Sequence, residues 1–349
     1  RLKFIFNKIR AAGIAKNFKI KLKGEDGRNI DSFFESLFND YFKHSIPDFA
    51  HKFDIYTNLL NKIKPTAALL DESVSSLRKP FELAAKIRNV PVFVINHGIP
   101  AKGYPIFLNK NITDYSYLLI GGEYIKEVYG GYYKANMGKL IVTGTPRYDD
   151  IYSLKKSEDS AANTICFAPT FFLKRGTTYN FTDYIVNFKQ NLHVIVEKYK
   201  EKPFRLIVKF HPGDPHENIV RSAFAASEVK ATYVADRLRS IDVLKDSELL
   251  ITCWSSMALE GCLCNLPVII MNNFAGIPEP IDFVKDRIAI FARTPEALGR
   301  LIDDYRAGIL NNPSYASNAK SASFKYEKFQ DGKASKRVAE FILKEIGYK

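Results

Sequence analysis

The chain has 349 residues, of which 46% are hydrophobic and 26% are charged, and this composition is typical of soluble globular proteins. Its length suits two domains of ordinary size better than one. No apolar run approaches the roughly 20 residues that span a bilayer, so a membrane-embedded protein is not expected. The net charge of +13 predicts attraction to an anionic partner, such as nucleic acid, an acidic membrane surface or a phosphorylated substrate.

The basic excess begins at the amino terminus. Residues 1–24 contain eight Lys or Arg residues and no acidic residue, and they alternate with apolar side chains such as Leu2, Phe4 and Ile9. A basic amphipathic segment of this kind predicts contact with an anionic membrane surface, although a solvated helix face is the alternative. The four cysteines are sparse and lack zinc-type spacing, so we interpret them as reduced core thiols of a cytoplasmic protein. Peripheral attachment to the inner face of the plasma membrane is left open.

Short β-branched runs alternate with longer helical patterns along the rest of the chain. Helical patterns occupy residues 76–88, 182–200 and 255–263. Strand–helix alternation with almost wholly apolar strands predicts parallel sheets that are covered on both faces. The predicted strands, in chain order, are residues 67–71, 90–96, 117–121, 140–143, 164–167, 206–210, 248–252 and 267–271.

A boundary between two α/β halves is predicted at residues 145–163, which are polar and charged and show no sustained hydrophobic period. We expect one domain over 1–150, a second over 151–320, and a carboxyl-terminal helix within 321–349 that packs back across the cleft. In such sheets ligands bind beyond the carboxyl ends of the strands. The cleft between the two halves is therefore the expected site.

Three residues of the first half are candidate catalytic bases. His97 directly follows the strand at 90–96, in the sequence NHGIPAKG, and an imidazole suits proton transfer near neutral pH. The alternative is a loop histidine that bonds to backbone. Asp71 ends the first strand, where it is either a base or merely the cap of the next helix. Glu123 is the third candidate.

Basic and hydroxyl side chains follow three strands of the second half, at positions that suit phosphate binding. Serines at a helix start cap its free amides, but the same groups also bind phosphate. Adjacent cations on a loop suit phosphate binding or an ordinary surface, and prolines fix the direction of a loop histidine. The candidates are Thr170, Lys174 and Arg175 after the first strand, Lys209, His211 and Pro212 after the second, and Ser255, Ser256 and Glu260 after the third.

The sequence lacks Asp-x-Asp, GxGxxG and GxxxxGK[ST] motifs. The first of these is the carboxylate pair that clamps a metal in many nucleotide-sugar enzymes, and the others bind dinucleotides or nucleoside triphosphates. We therefore expect neither a metal nor a cofactor. A specific nucleic-acid partner is not expected either, because the basic residues are scattered and no recognisable nucleic-acid-binding motif occurs.

Several motifs resemble those of bacterial surface-polysaccharide and teichoic-acid transferases. The order CFAPTFF, VKFHPGDP, DVLKDSELLITCWSSMALEGCLCNLPVIIM and DGKASKRVAEFI is similar to that of the CDP-glycerol glycerophosphotransferase-like group and its sugar-transferring relatives. INHGIP and IGGEYIKEVYGG look like first-domain elements, so the resemblance covers roughly residues 60–345. It implies a GT-B architecture, in which two Rossmann-like domains face each other across a cleft. The second domain would hold the donor nucleotide, and the acceptor would approach from the first.

The resemblance also implies roles by position. Lys209 and His211 would contact the donor phosphates, and Ser255 and Ser256 would hold phosphate at the helix start. Glu260 would bind ribose, and His97 would be the catalytic base.

Details around these motifs favour sugar transfer over glycerophosphate transfer. Cys253 and Trp254 precede the paired serines, where glycerophosphate transferases usually have an acidic residue and an aromatic one. The helix continues as MALEG rather than with an aspartate, and Gly98-Ile99-Pro100 replaces the usual Thr and Lys. We therefore predict a metal-independent glycosyltransferase that uses a CMP-, CDP- or UDP-linked sugar donor.

The predicted acceptor is a growing or lipid-linked cell-surface glycan, such as capsule, lipopolysaccharide or teichoic acid. Two alternatives stay open: a CDP-glycerol-type glycerophosphotransferase, and a sugar-nucleotide epimerase on the same fold. An epimerase would act on its nucleotide sugar without any acceptor, which separates it from both transferases.

Overall fold

The computed structural model describes residues 46–71, 78–100, 102, 116–131, 136–153, 163–169, 181–211, 217–234, 239–271 and 279–348. Within these ranges the chain forms two parallel β-sheets with helices between the strands. The strands are β1 Ala68–Leu70, β2 Val92–Ile95, β3 Ser116–Ile120, β4 Leu140–Val142, β5 Thr164–Ala168, β6 Arg205–Lys209, β7 Ala231–Val234, β8 Leu249–Thr252, β9 Val268–Met271 and β10 Ile290–Ala292.

Local signals in the sequence set several of the helix starts. Thr294 accepts a hydrogen bond from the backbone N–H of Ala297 at 3.2 Å, and a proline opens that helix. The α-helices are α1 Ile46–Ile63, α2 Arg78–Ile87, α3 Glu123–Gly131, α4 Phe181–Glu201, α5 Glu217–Ala226, α6 Ser240–Leu244, α7 Met257–Leu263, α8 Pro295–Arg306, α9 Pro313–Ser323 and α10 Ala334–Glu345. Short 3-10 helices span Met137–Lys139, Pro146–Ser153 and Ile309–Asn311.

The two sheets differ in strand order. The first sheet runs β1-β2-β3-β4, and the second runs β10-β9-β8-β5-β6-β7. In the second sheet the chain starts at β5, moves outward to β7, and then returns to β8 on the other side of β5. This is the strand order of a dinucleotide-binding Rossmann domain, and the reversal beside β5 creates the crevice where such sheets bind ligands.

The core of the second sheet is almost fully apolar, because its central strands are covered on both faces. Every residue of β5, β8 and β9 is buried. The interior also buries the four cysteines wholly or in part, and none of these described cysteines forms a disulfide. Burial raises the pKa of the Cys166 thiol to about 12, so it stays protonated at neutral pH. The interpretation of the cysteines as core thiols is confirmed.

Aromatic side chains join the two halves of the molecule. The Tyr326 ring stacks on Tyr124 of the first half, with ring centroids 4.4 Å apart, and lies 5.2 Å from the Phe283 ring of the second half. Tyr326 itself is fully buried. Buried residues from both halves consequently share one apolar cluster.

The carboxyl-terminal helix α10 packs on the first sheet rather than on the second. Val338 is buried against Phe93 and Leu119, which are side chains of β2 and β3. The start of α10 is capped from the first half, because the Asp149 carboxylate accepts hydrogen bonds from the backbone N–H groups of Ala334 and Ser335, both at 2.7 Å. These bonds satisfy amides that a helix start leaves without intrahelical partners.

All eight predicted strands are confirmed, with ends that shift by one or two residues. Strands β7 and β10 were missed because both are short edge strands whose side chains are mostly half-buried, so they lack a strong apolar run. The predicted boundary at 145–163 stays a prediction, and its first part forms the 3-10 helix Pro146–Ser153, which buries Tyr148 and Ile151. The basic segment 1–24 lies outside the described residues. None of the described helices has the length and apolarity to cross a bilayer.

Glu327, just before α10, provides a pH-dependent test of how the carboxyl-terminal segment docks. It is 1% exposed, its Oε1 accepts from the Thr145 backbone N–H at 2.9 Å, and burial raises its pKa to about 7. Since an unfolded glutamate titrates near 4.3, the folded state retains this proton to higher pH. Its contribution to stability is therefore present below about pH 4 and is lost as the pH rises through 7.

We expect Glu327→Gln to remove this dependence, because the amide cannot titrate. Urea denaturation gives the unfolding free energy of each protein at a series of pH values. The wild-type value minus the variant value should fall by up to about 3 kcal/mol between about pH 4 and pH 8. The exposed Glu340 on α10 provides the control Glu340→Gln. Equal pH profiles for the two variants would contradict the assignment.

Candidate functional site

The candidate site lies where three parallel strands of the second half end side by side. β5 pairs with β6 on one side and with β8 on the other, with Phe167 opposite Val208 and Ala168 opposite Thr252. Adjacent strands lie about 4.8 Å apart, so the ends of β6 and β8 are separated by about 10 Å. This spacing brings the residues that follow β6 and β8 to one edge of the sheet.

Lys209 and His211 occupy the β6 end of this edge. The Lys209 side chain is largely buried, with 8% exposure, and its charge acts on both Cys166 and Glu260, whose pKa values it lowers against the larger effect of burial. His211 is exposed to solvent directly after the strand. The other predicted residues of this group, Thr170, Lys174, Arg175 and Pro212, lie outside the described residues.

Ser255 and Ser256 occupy the β8 end, and their hydroxyls differ in what they contact. Ser255 is buried, and its Oγ accepts a hydrogen bond from the backbone N–H of Met257 at 3.2 Å. Ser256 directly precedes α7 and makes no side-chain capping bond. The capping alternative therefore applies to Ser255, and the Ser256 hydroxyl is not used in that way.

A tight turn after β2 brings the first half against Ser256. Gly98 has φ of +78°, in the left-handed region that favours glycine, and a methyl group built on it would lie 3.6 Å from the Ser256 Oγ. The buried Asn96 side chain supports the turn: it donates to the Gly98 carbonyl and accepts from the Tyr129 hydroxyl at 3.0 Å. His97 lies between these two residues and is exposed. The turn therefore places the residue that follows His97 beside the start of α7.

A second contact ties the same loop to the second half. The Lys102 ammonium pairs with the largely buried Asp282, and its backbone N–H donates to the Pro280 carbonyl at 2.6 Å. The ammonium also lies 5.4 Å from the centre of the Tyr124 ring. Gly98 and Lys102 both contact the second half, so the loop after His97 is held there at two points.

The other two candidate bases pair with cations elsewhere. Asp71 is exposed and forms an ion pair with Arg78 at the start of α2. Glu123 lies in the first turn of α3, with its Oε1 3.4 Å from the Lys328 ammonium. Of the three, His97 is the residue that the structure brings to the face of α7.

Glu260 makes a contact that the sequence did not predict. It lies on α7, is 5% exposed, and its Oε1 is 3.3 Å from Nη2 of Arg147, a first-half residue that follows β4. Burial raises the pKa of Glu260, and the Arg147 charge is the largest effect that opposes this rise. Arg147 also donates to the Tyr148 hydroxyl at 2.7 Å.

Sequence reasoning missed four residues of this interface: Asn96, Lys102, Arg147 and Asp282. Arg147 follows the predicted strand at 140–143, so the rule that ligands bind at strand ends pointed to it. It was overlooked because its segment was interpreted as the boundary between the two halves. The partners Lys102 and Asp282 are 180 positions apart in the chain, and no local pattern signals such a pair.

The fold and the position of the site define a class: two Rossmann-like halves of the GT-B type that meet across a cleft, as predicted. Residues 84–344 match the family model of CDP-glycerol:poly(glycerophosphate) glycerophosphotransferase. The chain belongs to this family. The match covers β2–β4 of the first sheet and all of the second sheet, and it includes His97, Lys209, Ser256 and Glu260.

Known proteins similar to the chain agree with this membership. The teichoic acid glycerol-phosphate primase of Bacillus subtilis (strain 168) is 24% identical over 244 residues, which are 67% of this chain and 58% of the primase. The chain thus spans little more than half the length of this curated relative.

Solved structures show the same fold. The wall teichoic acid polymerase TagF superposes with a TM-score of 0.55 at 16% identity, covering 80% of this chain and 73% of the polymerase. The UDP-GlcNAc 2-epimerase from Neisseria meningitidis, solved with UDP-GlcNAc bound, gives 0.61 at 15% identity, over 85% and 81% of the two chains. At these identities the similarity concerns the fold alone.

The family membership corrects the prediction of sugar transfer. It supports the alternative of glycerophosphate transfer over the glycosyltransferase, and it supports teichoic acid synthesis as the context, whereas capsule and lipopolysaccharide stay predictions. The sequence preference rested on a few residues beside the serines and on the loop after His97.

The turn at Gly98 yields a prediction for stability. Gly98→Ala places a Cβ in the left-handed region, and we expect a loss of about 1 kcal/mol in unfolding free energy, measured by thermal or urea denaturation. The control is Gly131→Ala at the end of α3, where an added methyl meets nothing within 4 Å. Alanine there should be neutral or slightly stabilising. A Gly98→Ala protein as stable as the control would contradict the strained turn.

Proposed function

We propose that the chain transfers glycerol phosphate from a CDP-glycerol donor to an acceptor hydroxyl during synthesis of teichoic acid or a related polymer. The observation that carries this proposal is the family match over residues 84–344, which includes the cleft-facing residues of both halves. The acceptor is a glycan or a lipid-linked polymer. Contact with an anionic membrane surface through residues 1–24 fits such an acceptor and forms part of the proposal.

The reaction forms one P–O bond and breaks another. The acceptor oxygen attacks the phosphorus that carries the glycerol, the bond from this phosphorus to the bridging oxygen of the diphosphate breaks, and CMP leaves. Negative charge therefore grows on the departing phosphate. Preorganised cations and hydrogen-bond donors at that position stabilise the transition state.

The groups at the edge of the second sheet suit this role. Lys209 is the last residue of β6, the exposed His211 follows that strand, and Ser256 follows β8. β6 and β8 lie one strand spacing to either side of β5. We assign these three side chains to the donor phosphates. Each such donor is worth about 3 kcal/mol in the transition state, or about a hundredfold in rate.

His97 is proposed as the base that accepts the proton of the acceptor hydroxyl. Its turn contacts the start of α7 through Gly98, and it belongs to the half from which the acceptor would approach. A neutral imidazole has a ring nitrogen that accepts a proton, which is the role of a general base.

The donor that is consumed distinguishes this proposal from sugar transfer, because a CMP-sugar would also release CMP. With CDP-glycerol and a glycerophosphate-terminated acceptor, we expect CMP to appear in step with polymer growth, measured by chromatography. A glycosyltransferase supplied with CDP- or UDP-sugar would release the nucleoside diphosphate instead. The proposal would be overturned if the protein turned over a nucleotide sugar but did not turn over CDP-glycerol. Conversion of UDP-GlcNAc without acceptor would indicate the epimerase.

Substitutions separate donor binding from proton transfer. We expect His211→Ala and Ser256→Ala each to lower turnover about a hundredfold and to weaken CDP-glycerol binding. His97→Ala should lose turnover while donor affinity, measured by calorimetry, is retained. The control is His193→Ala, an exposed histidine on α4. Unchanged turnover in His97→Ala would show that His97 is not the base. Unchanged donor binding and turnover in both His211→Ala and Ser256→Ala would contradict their assignment to the donor phosphates.

A further inference from the structure

Arg147 combines an anchored guanidinium with exposure in the cleft. It belongs to the 3-10 helix Pro146–Ser153, directly after β4. Its side chain is 39% exposed, whereas the side chain of its partner Glu260 is 7% exposed. The ion pair is therefore buried on the carboxylate side and open on the guanidinium side.

The anchoring leaves part of the guanidinium available. Its polar contacts with described side chains, Tyr148 Oη at 2.7 Å and Glu260 Oε1 at 3.3 Å, both involve Nη2. A guanidinium carries five N–H donors in a fixed plane, so Nη1 and Nε keep donors for a further acceptor. The Tyr148 ring, 4.8 Å from the guanidinium carbon, and the nearby charge of Glu327 also favour the cation.

Arg147 lies close to the groups proposed to bind phosphate. Glu260 is four residues after Ser256, and the backbone N–H of Glu260 donates to the Ser256 carbonyl at 3.2 Å. Residues so spaced lie about 6 Å apart on one helix face. The first half thus contacts this face at two points, Gly98 at Ser256 and Arg147 at Glu260. The Lys209 charge acts on the same Glu260 carboxylate.

We propose that Arg147 is a phosphate-binding residue that the first half contributes to the cleft, and that the buried Glu260 positions its guanidinium. The inference rests on the proposed function, because it supplies a cation to that same reaction. A planar guanidinium binds two phosphate oxygens at once, which suits a phosphate that lies between the halves. The phosphate belongs either to the donor or to the terminal unit of the acceptor.

A purely structural ion pair predicts different behaviour. Arg239 and Asp150 also join the two halves as an arginine–carboxylate pair, but both side chains are more than half exposed. This pair provides a matched control for the loss of an interdomain contact. Glu260 acts through Arg147 in this scheme, so its substitution should change the same kinetic parameter.

The experiment compares Arg147→Gln, Arg147→Lys and Arg239→Gln in the full chain. Calorimetry with CMP and CDP-glycerol reports the donor phosphates, and the KM for a glycerophosphate-terminated acceptor reports the acceptor phosphate. We expect Arg147→Gln to weaken one of these by roughly tenfold to a hundredfold, with Arg147→Lys between it and the wild type. Arg239→Gln should leave both unchanged. The parameter that moves identifies which phosphate Arg147 binds.

Two further readouts exclude a structural effect. Added guanidinium should partly restore Arg147→Ala, because it replaces the missing cation in an open cleft. Glu260→Gln should affect the same parameter as Arg147→Gln and add little to it in the double variant. Equal donor affinity and equal acceptor KM in wild type and Arg147→Gln would overturn the inference, as would equal losses in Arg147→Gln and Arg239→Gln.

Inorganic pyrophosphate separates this inference from the proposed function. If the wild type binds pyrophosphate but neither CMP nor CDP-glycerol, the proposed donor is wrong. Weaker pyrophosphate binding by Arg147→Gln would then still support the phosphate-binding role. Unchanged pyrophosphate binding together with unchanged acceptor KM would contradict it. If Arg147→Gln does not fold, Arg147→Lys, which keeps the charge, is measured in the same way.

Discussion

The candidate site depends on the parallel pairing of β5 with β6 on one side and with β8 on the other. Because parallel strands all point the same way, their carboxyl ends meet at one edge of the sheet. The chain leaves β6 through Lys209 and His211, and it leaves β8 through Ser255 and Ser256. Segments that are more than forty residues apart in the sequence are thereby held about two strand spacings from each other. Every residue of β5 and β8 is buried, and so is every residue of β6 after the first, so close packing holds this geometry.

The second requirement is that the first half stays docked on α7. Several kinds of interaction contribute: the close approach of Gly98 to Ser256, the pair of Lys102 with Asp282, and the aromatic contacts of Tyr326 on both sides. A partly buried ion pair such as Arg147 with Glu260 adds little net stability, since desolvation of the carboxylate offsets most of its attraction. The main effect of this pair is to orient the Arg147 guanidinium. It fixes a cation at the boundary between the halves, where a phosphate would pass from donor to acceptor.

The sequence predicted the strands and the strand-end residues because both depend on local patterns. Apolar runs that end in proline, glycine or serine marked β6 and β8 and so led to His211 and Ser256. The contacts of α7 with the first half were not predictable in this way. Arg147 sits in a polar segment without hydrophobic period, and its partner Glu260 is 113 residues away (260 − 147). The choice between sugar and glycerophosphate was also beyond local reasoning, because it depends on the similarity of the whole chain to a family rather than on a few neighbours of the serines.

The central claim is that the edge formed by β5, β6 and β8 binds the diphosphate of the donor. A crystal structure of the chain with CDP-glycerol, or with CDP, tests it most directly. The account predicts that the diphosphate lies between the His211 imidazole and the Ser256 hydroxyl, facing the turn at Gly98. Density for the nucleotide at any other edge of either sheet, with this crevice filled only by solvent, would contradict it.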